Sequence, residues 1–333
     1  MKVAVVGLGH IGLPLAVQYA SRGNEVIGCD VDARIVDAIN GGTSPHDDEP
    51  ALAERVPRLV AEGLLRATTD DAAGVRQAEA VVVIVPVVVD QDREIDFGPI
   101  DAATHEIARG LQAGTLVIYE TTLPVATTRD RFGPMLAQGS GLAMDLDFFL
   151  AFSPERVLVG RVLLDLQRYP KIVGGTSQES TRRAVAFYES VLEPGTEVRA
   201  VANAETAEMT KLAETTYRDV NIALANEYAR YAARRGIDVI EVIEAANSQP
   251  YSHIHQPGVG VGGHCIPVYP HFLFNADPEL QLPPLARRIN EGMGRWTVDL
   301  VRDRIGPLEG APVLVLGIAY RADVREDAFS SAF

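Results

Sequence analysis

The sequence predicts an α/β chain in three parts. An N-terminal doubly wound parallel sheet covers residues 1–200, a central all-α domain with one long helix covers 201–306, and the start of a third α/β domain covers 307–333. Three observations predict it. Short apolar, β-branched runs alternate with helical patterns through the first part, the pattern of a parallel sheet with helices on both faces. Asn203 to Arg235 then runs without a Gly or Pro. Ala311 to Leu316 reads as one more apolar strand, followed by Gly317.

Lys2 to Val6 is the first strand, apolar enough to be buried on both faces. Gly7-Leu8-Gly9-His10-Ile11-Gly12 follows it, and a helical pattern runs on to about Arg22. Glu25 to Cys29 is the second strand, closed by Asp30. Strand, Gly-x-Gly-x-x-Gly, helix, strand and acid in this order form the dinucleotide-binding (Rossmann-type) fingerprint. Gly7 makes the tight turn, Gly9 lets backbone approach a pyrophosphate at the helix N-terminus, and Gly12 permits close helix–strand packing. Asp30 as acceptor for ribose hydroxyls points to NAD over NADP, while Arg34 nearby points the other way. A plain helix N-cap is the structural alternative for Asp30.

Further strands are expected at Ala80–Val85, stopped by Pro86, and at Thr115–Glu120, followed by Thr121-Thr122-Leu123-Pro124. Leu146–Phe152 leads into Ser153-Pro154-Glu155-Arg156, and Lys171–Val173 into Gly174-Gly175. Ligands of such sheets sit beyond the strand carboxyl ends. Thr122 and Glu155 both stand just past one, so both are candidates for a common crevice; a helix cap and a solvated acid are the structural alternatives.

Asn203 is a good N-cap for the long Ala-rich helix, and Gly236 ends it. A helix of about 30 residues exceeds the usual globular length, so it is expected to bridge domains or form a dimer interface. Lys211, Thr215, Arg218 and Ile222 recur at helical spacing on one face. A shorter helix is expected at Val239–Asn247 and another over Leu285–Arg304. Between them lies Pro257-Gly258-Val259-Gly260-Val261-Gly262-Gly263-His264-Cys265-Ile266-Pro267, a rigid loop carrying a thiol. His253, His255 and His264 stand near Cys265, but no second cysteine or His-Glu-x-x-His helix accompanies them, so no metal site is expected.

The 333-residue chain is 47% hydrophobic and 23% charged, with a formal charge of −15. That charge argues against tracking a nucleic-acid backbone. Two cysteines, Cys29 and Cys265, fit a reducing, cytoplasmic setting. No apolar run is long enough to predict a membrane span.

Together these motifs resemble the UDP-glucose/GDP-mannose dehydrogenase family. The match runs through Gly7–Pro14, Glu120–Pro124, Ser153–Leu158, Glu208-Met209-Thr210-Lys211-Leu212 and Gly260–Pro267. The Ser-Pro-Glu-Arg and Gly-Gly-His-Cys variants look most like the branch acting on UDP-N-acetylhexosamines. The resemblance implies a homodimer, joined through the 203–235 helix, that oxidises the C6 alcohol of a UDP-sugar twice with NAD and yields the uronic acid. It implies that Cys265 traps the aldehyde as a thiohemiacetal and carries the thioester, chemistry to which a thiolate is suited. Lys211 would stabilise the oxyanion, Glu155 would position or deprotonate the water, and Thr122 and Thr215 would hold it. Gly7, Gly9, His10, Ile11, Gly12, Asp30, Arg34, Pro86 and Thr122 would line the cofactor. Glu155, Arg156, Lys211, Arg218, Gly258, Gly260, Gly262, His264 and Arg321 would meet the substrate.

The chain departs from the family pattern in three places. Thr215 stands where the family usually has Asn, and Tyr269 stands where it usually has Asp. Of a C-terminal domain of roughly a hundred residues, the chain carries the first strand and loop. The residues therefore leave open two other readings: a truncated, non-catalytic NAD-binding or interaction protein, and an enzyme that stops at another oxidation level.

Overall fold

The computed structural model describes residues 1–46, 49–90, 93–319, 327 and 329–332. The chain forms two compact units. The first takes in Met1–Val87 and Ile95–Lys211, and the second takes in Val88–Glu94 and the chain from Leu212 onward.

The first unit opens with β1 (Lys2–Val6), α1 (Gly12–Ser21), β2 (Glu25–Cys29), α2 (Ala33–Asn40), α3 (Leu52–Ala61), β3 (Leu65–Thr68), α4 (Asp71–Val75) and β4 (Ala80–Val83). After β5 (Val88–Val89), which belongs to the second unit, the first resumes with the short β6 (Ile95–Asp96), α5 (Gly98–Gly110) and β7 (Leu116–Tyr119). A π turn at Thr128–Phe132 runs into α6 (Gly133–Ser140), followed by β8 (Phe149–Phe152), α7 (Val162–Arg168), β9 (Lys171–Gly175), α8 (Gln178–Val191) and β10 (Val198–Ala200). The eight-stranded sheet has the order β10-β9-β8-β7-β4-β1-β2-β3. Its order reverses between β1 and β4, which is where doubly wound sheets open a ligand crevice at their carboxyl ends. β4, β7 and β8 are buried throughout, with helices on both faces. That explains their unbroken apolar sequences.

Two strands depart from the parallel pattern. β9 runs antiparallel to β8, in the register Ala151↔Gly175 and Phe152↔Gly174, and β10 follows it. The connection from β8 to β9 therefore begins and ends at the carboxyl edge of β8. Extending the register places Lys171, the first residue of β9, opposite Glu155.

The long helix forms as expected. α9 (Ala204–Arg235) has 32 residues, and the Asn203 side chain caps it by accepting from the Thr206 N–H (2.9 Å). Gly236 follows with φ +67, the left-handed turn glycine supplies at a helix end. α9 starts in the first unit and continues into the second. There α10 (Val239–Ala246), α11 (Tyr269–Phe274), α12 (Leu282–Glu291) and α13 (Met293–Ile305) follow.

The helix expected over Leu285–Arg304 is two helices that meet at Gly292. Ala311–Leu316 forms no strand; Val313, Leu314, Val315 and Leu316 are all exposed. Among the described residues no neighbouring strand completes its backbone hydrogen bonds, and a lone strand is not stable in water. No helix among the described residues is long and apolar enough to cross a membrane.

Candidate active site

The turn from β1 into α1 is shaped to receive a dinucleotide. Gly7 has φ +92, a conformation that other residues rarely adopt. A Cβ on Gly12 would lie 1.8 Å from the Gly7 carbonyl oxygen, so helix and turn touch backbone to backbone. A Cβ on Gly9 would meet nothing within 4 Å, which leaves room above the loop. α1 has no side-chain N-cap and no acid in its first turn. Its positive end and first N–H groups thus remain suited to a pyrophosphate.

Asp30 holds this loop as well as facing it. Its carboxylate accepts from the Leu8 N–H (2.8 Å) and the Asp32 N–H (2.9 Å). Arg34 is exposed and paired with Asp32 (2.7 Å). His10 is exposed and Ile11 half-buried at the head of α1, and the His10 ring lies 4.4 Å from that of His46. The His46 Nε2 donates to the Leu8 carbonyl (2.8 Å), a second tie on the same loop. Pro86 is exposed just past β4.

Glu155 and Lys211 are brought together at the carboxyl edge by the first turns of α9. Lys211, 7% exposed, donates through Nζ to the Glu155 carbonyl (2.5 Å). Glu208, one turn earlier, accepts from the Ala126 N–H (2.6 Å), the Thr128 N–H (2.9 Å) and the Thr128 hydroxyl (2.6 Å). It thereby pins the segment that follows Thr122, which is itself buried. Ala126 sits at φ +71, an unfavourable conformation for a residue with a Cβ, and its bond to Glu208 helps hold it there. Arg156 is half-buried and donates to the Pro170 carbonyl.

Behind Glu155 lies a buried group of charges. Lys171 Nζ donates to Glu155 Oε2 (2.9 Å) and to Glu120 Oε2 (2.8 Å). Glu120 Oε1 accepts from the hydroxyls of Tyr188 (2.6 Å) and Tyr19 (3.2 Å). Glu155 Oε1 accepts from the N–H groups of Arg156 (2.6 Å) and Val157 (3.1 Å). Enclosure and the Glu155 charge push Glu120 up to about 7 despite Lys171. Burial also works against ionised Glu155, but Lys171 and the surrounding hydrogen bonds hold it well below the usual carboxylate range. Glu155 is thus no solvated acid. Sequence reasoning assigned no role to Glu120, Lys171 or Glu208. A charged first residue on an otherwise apolar strand, Lys171-Ile172-Val173, was the available signal for Lys171.

In the second unit, α9 holds the approach to the glycine loop with two asparagines. Asn221 donates to the His253 carbonyl (2.7 Å) and accepts from the His255 N–H (2.9 Å), as a neighbouring strand would. Asn226 accepts from the Gly258 N–H (2.9 Å) and donates to Asn290 (2.8 Å). Asn290 in turn donates to Asp219 Oδ1 (2.7 Å), which is bound in a two-point pair by Arg287 (2.6 and 2.7 Å). Gly263 has φ +88, a Cβ on Gly260 would collide with the Ser331 side chain, and Gly262 is half-buried.

Cys265 follows as an exposed thiol, and its carbonyl caps the start of α11 by accepting from the Tyr269 N–H (2.9 Å). The other cysteine, Cys29, is buried. His264 is exposed, with its ring 6.1 Å from that of Phe329. Thr215 is buried on α9 and donates to the Leu212 carbonyl (3.1 Å); Arg218 is half-buried on the same helix. Tyr269 turns its ring toward Phe272 (5.4 Å). Arg321 lies outside the described residues.

The chain is similar to known proteins along its length. Residues 1–192 match the model of the NAD binding domain of the UDP-glucose/GDP-mannose dehydrogenase family, and residues 205–291 match that of its central domain. The chain is 41% identical to a UDP-N-acetyl-D-mannosamine dehydrogenase of Salmonella typhi over 339 residues, covering 97% of this chain and 79% of the relative. It is 38% identical to that of Pyrococcus horikoshii over 338 residues, covering 100% of this chain and 79% of the relative. A solved structure of the UDP-D-ManNAc dehydrogenase from Pyrococcus horikoshii superposes with a TM-score of 0.91 at 36% identity, covering 100% of this chain and 79% of the other.

Proposed function

This chain belongs to the UDP-glucose/GDP-mannose dehydrogenase family and is an NAD-dependent nucleotide-sugar dehydrogenase, and we propose that it oxidises the C6 alcohol of UDP-N-acetylmannosamine to the uronic acid. The observation that carries the choice of sugar is the likeness along the whole chain to dehydrogenases named for that substrate. The Ser153-Pro154-Glu155-Arg156 and Gly262-Gly263-His264-Cys265 motifs support the same branch.

NAD, held by the loop from Gly7 to Gly12 with Asp30, supplies the hydride acceptor when bound. The protein's own residues do the rest. The Cys265 thiolate adds to the aldehyde carbon to give a thiohemiacetal, whose oxidation leaves a thioester that water cleaves. An exposed thiol on a loop fastened by Asn221 and Asn226 supports that role. Lys211, fixed by its bond to the Glu155 carbonyl, stabilises the oxyanion. Glu155 acts on the water, and Thr122 and Thr215 help to hold it. Residues 1–200, 201–306 and 307–333 serve as the cofactor, central and nucleotide-sugar parts.

We further propose a homodimer through α9. Tyr217, Leu224, Tyr228 and Tyr231 are 40–53% exposed and recur at i, i+7, i+11 and i+14, so they form one stripe along the helix. A straight apolar stripe of this kind matches itself in a second copy about a two-fold axis. Two free cysteines, one of them exposed, support work in the cytoplasm.

The test is NADH formed per UDP-N-acetylmannosamine consumed, with the product identified by mass spectrometry. Two NADH and a uronic acid are expected. Cys265→Ser is expected to form no acid, and acid formation at the normal rate by that variant would sink the covalent route. One NADH and an aldehyde product would support an enzyme stopping at that level. NAD binding with no turnover of any UDP- or GDP-sugar would support a non-catalytic protein.

A further inference from the structure

We propose that Glu155, Lys171 and Glu120 form a proton relay, in which Glu155 takes a proton from the reacting alcohol or water and Glu120, reached through Lys171, stores it. The inference rests on the dehydrogenase reading above and adds two residues to it. Oxidising an alcohol to a carboxylate releases protons at each stage, so the site needs an acceptor that is ready again for the next step. Glu155 alone is poorly suited, because Lys171 and two backbone N–H groups stabilise its anion and make it a weak base.

The geometry supplies a route inward. Lys171 Nζ lies 2.9 Å from Glu155 Oε2 and 2.8 Å from Glu120 Oε2, both hydrogen-bond distances. The antiparallel course of β9 creates this bridge, because a parallel strand would put its first residue at the opposite edge of the sheet. The side chains of Lys171 and Glu120 are 5% and 0% exposed. The titratable groups facing the triad come from every element packed on it. Tyr19 of α1 and Tyr188 of α8 donate to Glu120, and the Tyr188 ring lies 4.9 Å from Lys171 Nζ. Lys211 of α9 binds the Glu155 carbonyl.

The transfer balances without a further reactant. An N–H bond of Lys171 breaks as an O–H bond forms on Glu120, and the Glu155 O–H bond breaks as Lys171 regains its proton. No electrons are exchanged and the charge of the triad is unchanged. Two buried carboxylates around one ammonium favour holding one shared proton, since the fully ionised set keeps an uncompensated negative charge out of water. The raised proton affinity of Glu120 beside the lowered proton affinity of Glu155 makes the inward direction downhill near neutral pH. Lys171 and Glu120 are positioning residues, acting through Glu155.

Lys171→Arg separates a relay from a brace. Arginine keeps the positive charge and two-sided hydrogen bonding but does not give up its proton in proteins. A relay predicts that kcat falls by roughly 100-fold with KM for NAD and UDP-sugar unchanged; a brace predicts full rescue by arginine. Glu120→Gln is expected to lower kcat similarly and to displace the acid limb of the pH–kcat profile. Infrared spectroscopy of the protein without ligands is expected to show a protonated carboxyl band that titrates near neutral pH and is missing in Glu120→Gln. Wild-type kcat and pH profile in Lys171→Arg, or survival of that band in Glu120→Gln, would overturn the relay. If Lys171→Arg fails to fold, the infrared comparison decides alone. A wild-type protein that oxidises no UDP-sugar defeats the proposed function, and the infrared titration still judges the triad.

Discussion

Glu208 and Lys211 stand one turn apart on α9 and hold two different strand-end loops, Glu208 by accepting from Ala126 and Thr128 and Lys211 by donating to the Glu155 carbonyl. One helix thus sets the spacing between the Thr122 and Glu155 segments. Glu208→Gln keeps the size of the side chain but offers one acceptor oxygen to three donors, so a buried N–H loses its partner. The expected loss is about 1–3 kcal/mol of stability, read as a lower urea midpoint with unchanged slope. Activity is expected to fall with it, because Thr122 is displaced.

Gly9 and Gly12 share a motif but not a constraint. Gly12→Ala would drive a methyl group into the Gly7 backbone at 1.8 Å, so a loss of about 3 kcal/mol or more is expected. Gly9→Ala meets nothing within 4 Å and is expected to melt like wild type. In the proposed cofactor site its methyl group would occupy the approach to the pyrophosphate, so NAD affinity is expected to drop roughly tenfold or more, about 1.4 kcal/mol at the least. Differential scanning and titration calorimetry on both variants check the pair; an unstable Gly9→Ala would contradict it.

His271 makes the second unit sensitive to acid. Its Nε2 lies 3.0 Å from Arg93 Nη1, and a guanidinium can only donate, so the ring is neutral and accepts there. Burial, then the Arg93 charge, lowers His271 to about 4. The folded value lies below the ordinary one of about 6.5, so the contribution to stability is present above pH 6.5 and is lost as pH falls through 4. The loss amounts to about 3 kcal/mol at most. Melting temperatures between pH 7 and pH 4 are expected to fall less steeply in His271→Gln than in wild type; equal slopes would remove the histidine from the explanation.

The apolar stripe on α9 gives a test of assembly. Leu224→Glu with Tyr231→Glu places charges along it while leaving the buried positions of the helix alone. Sedimentation equilibrium is expected to show a dimer for wild type and a monomer for the variant, with circular dichroism unchanged. A wild-type monomer at micromolar concentration refutes the interface.

Much of the first unit was legible because its signals are local. The runs Lys2–Val6 and Glu25–Cys29 coincide with β1 and β2, and the glycines between them need only their neighbours to be interpreted. α9 was legible for a similar reason, since nothing between Asn203 and Arg235 interrupts a helix. The direction of β9 was not, because strand direction is decided by a partner distant in sequence. With it went the meeting of Glu120, Lys171 and Glu155, three residues from three separate segments. Asn226 was hidden likewise, because its partners at Gly258 and Asn290 are remote along the chain. Ala311–Leu316 failed in the opposite way: its composition suits a strand, but composition does not provide a neighbour.

The two ends of the sheet order bear on how the protein behaves when concentrated. The outermost strands, β3 and β10, have four and three residues, and each carries an arginine, Arg66 and Arg199, both exposed. Short, charged borders discourage sheets of separate molecules from joining edge to edge into fibrils. Val313 to Leu316 has no such guard, being a run of four exposed apolar residues of which two are β-branched. Self-association beyond a defined oligomer is therefore expected to start at this segment and not at the sheet, and a lysine in place of Val315 is the economical way to suppress it.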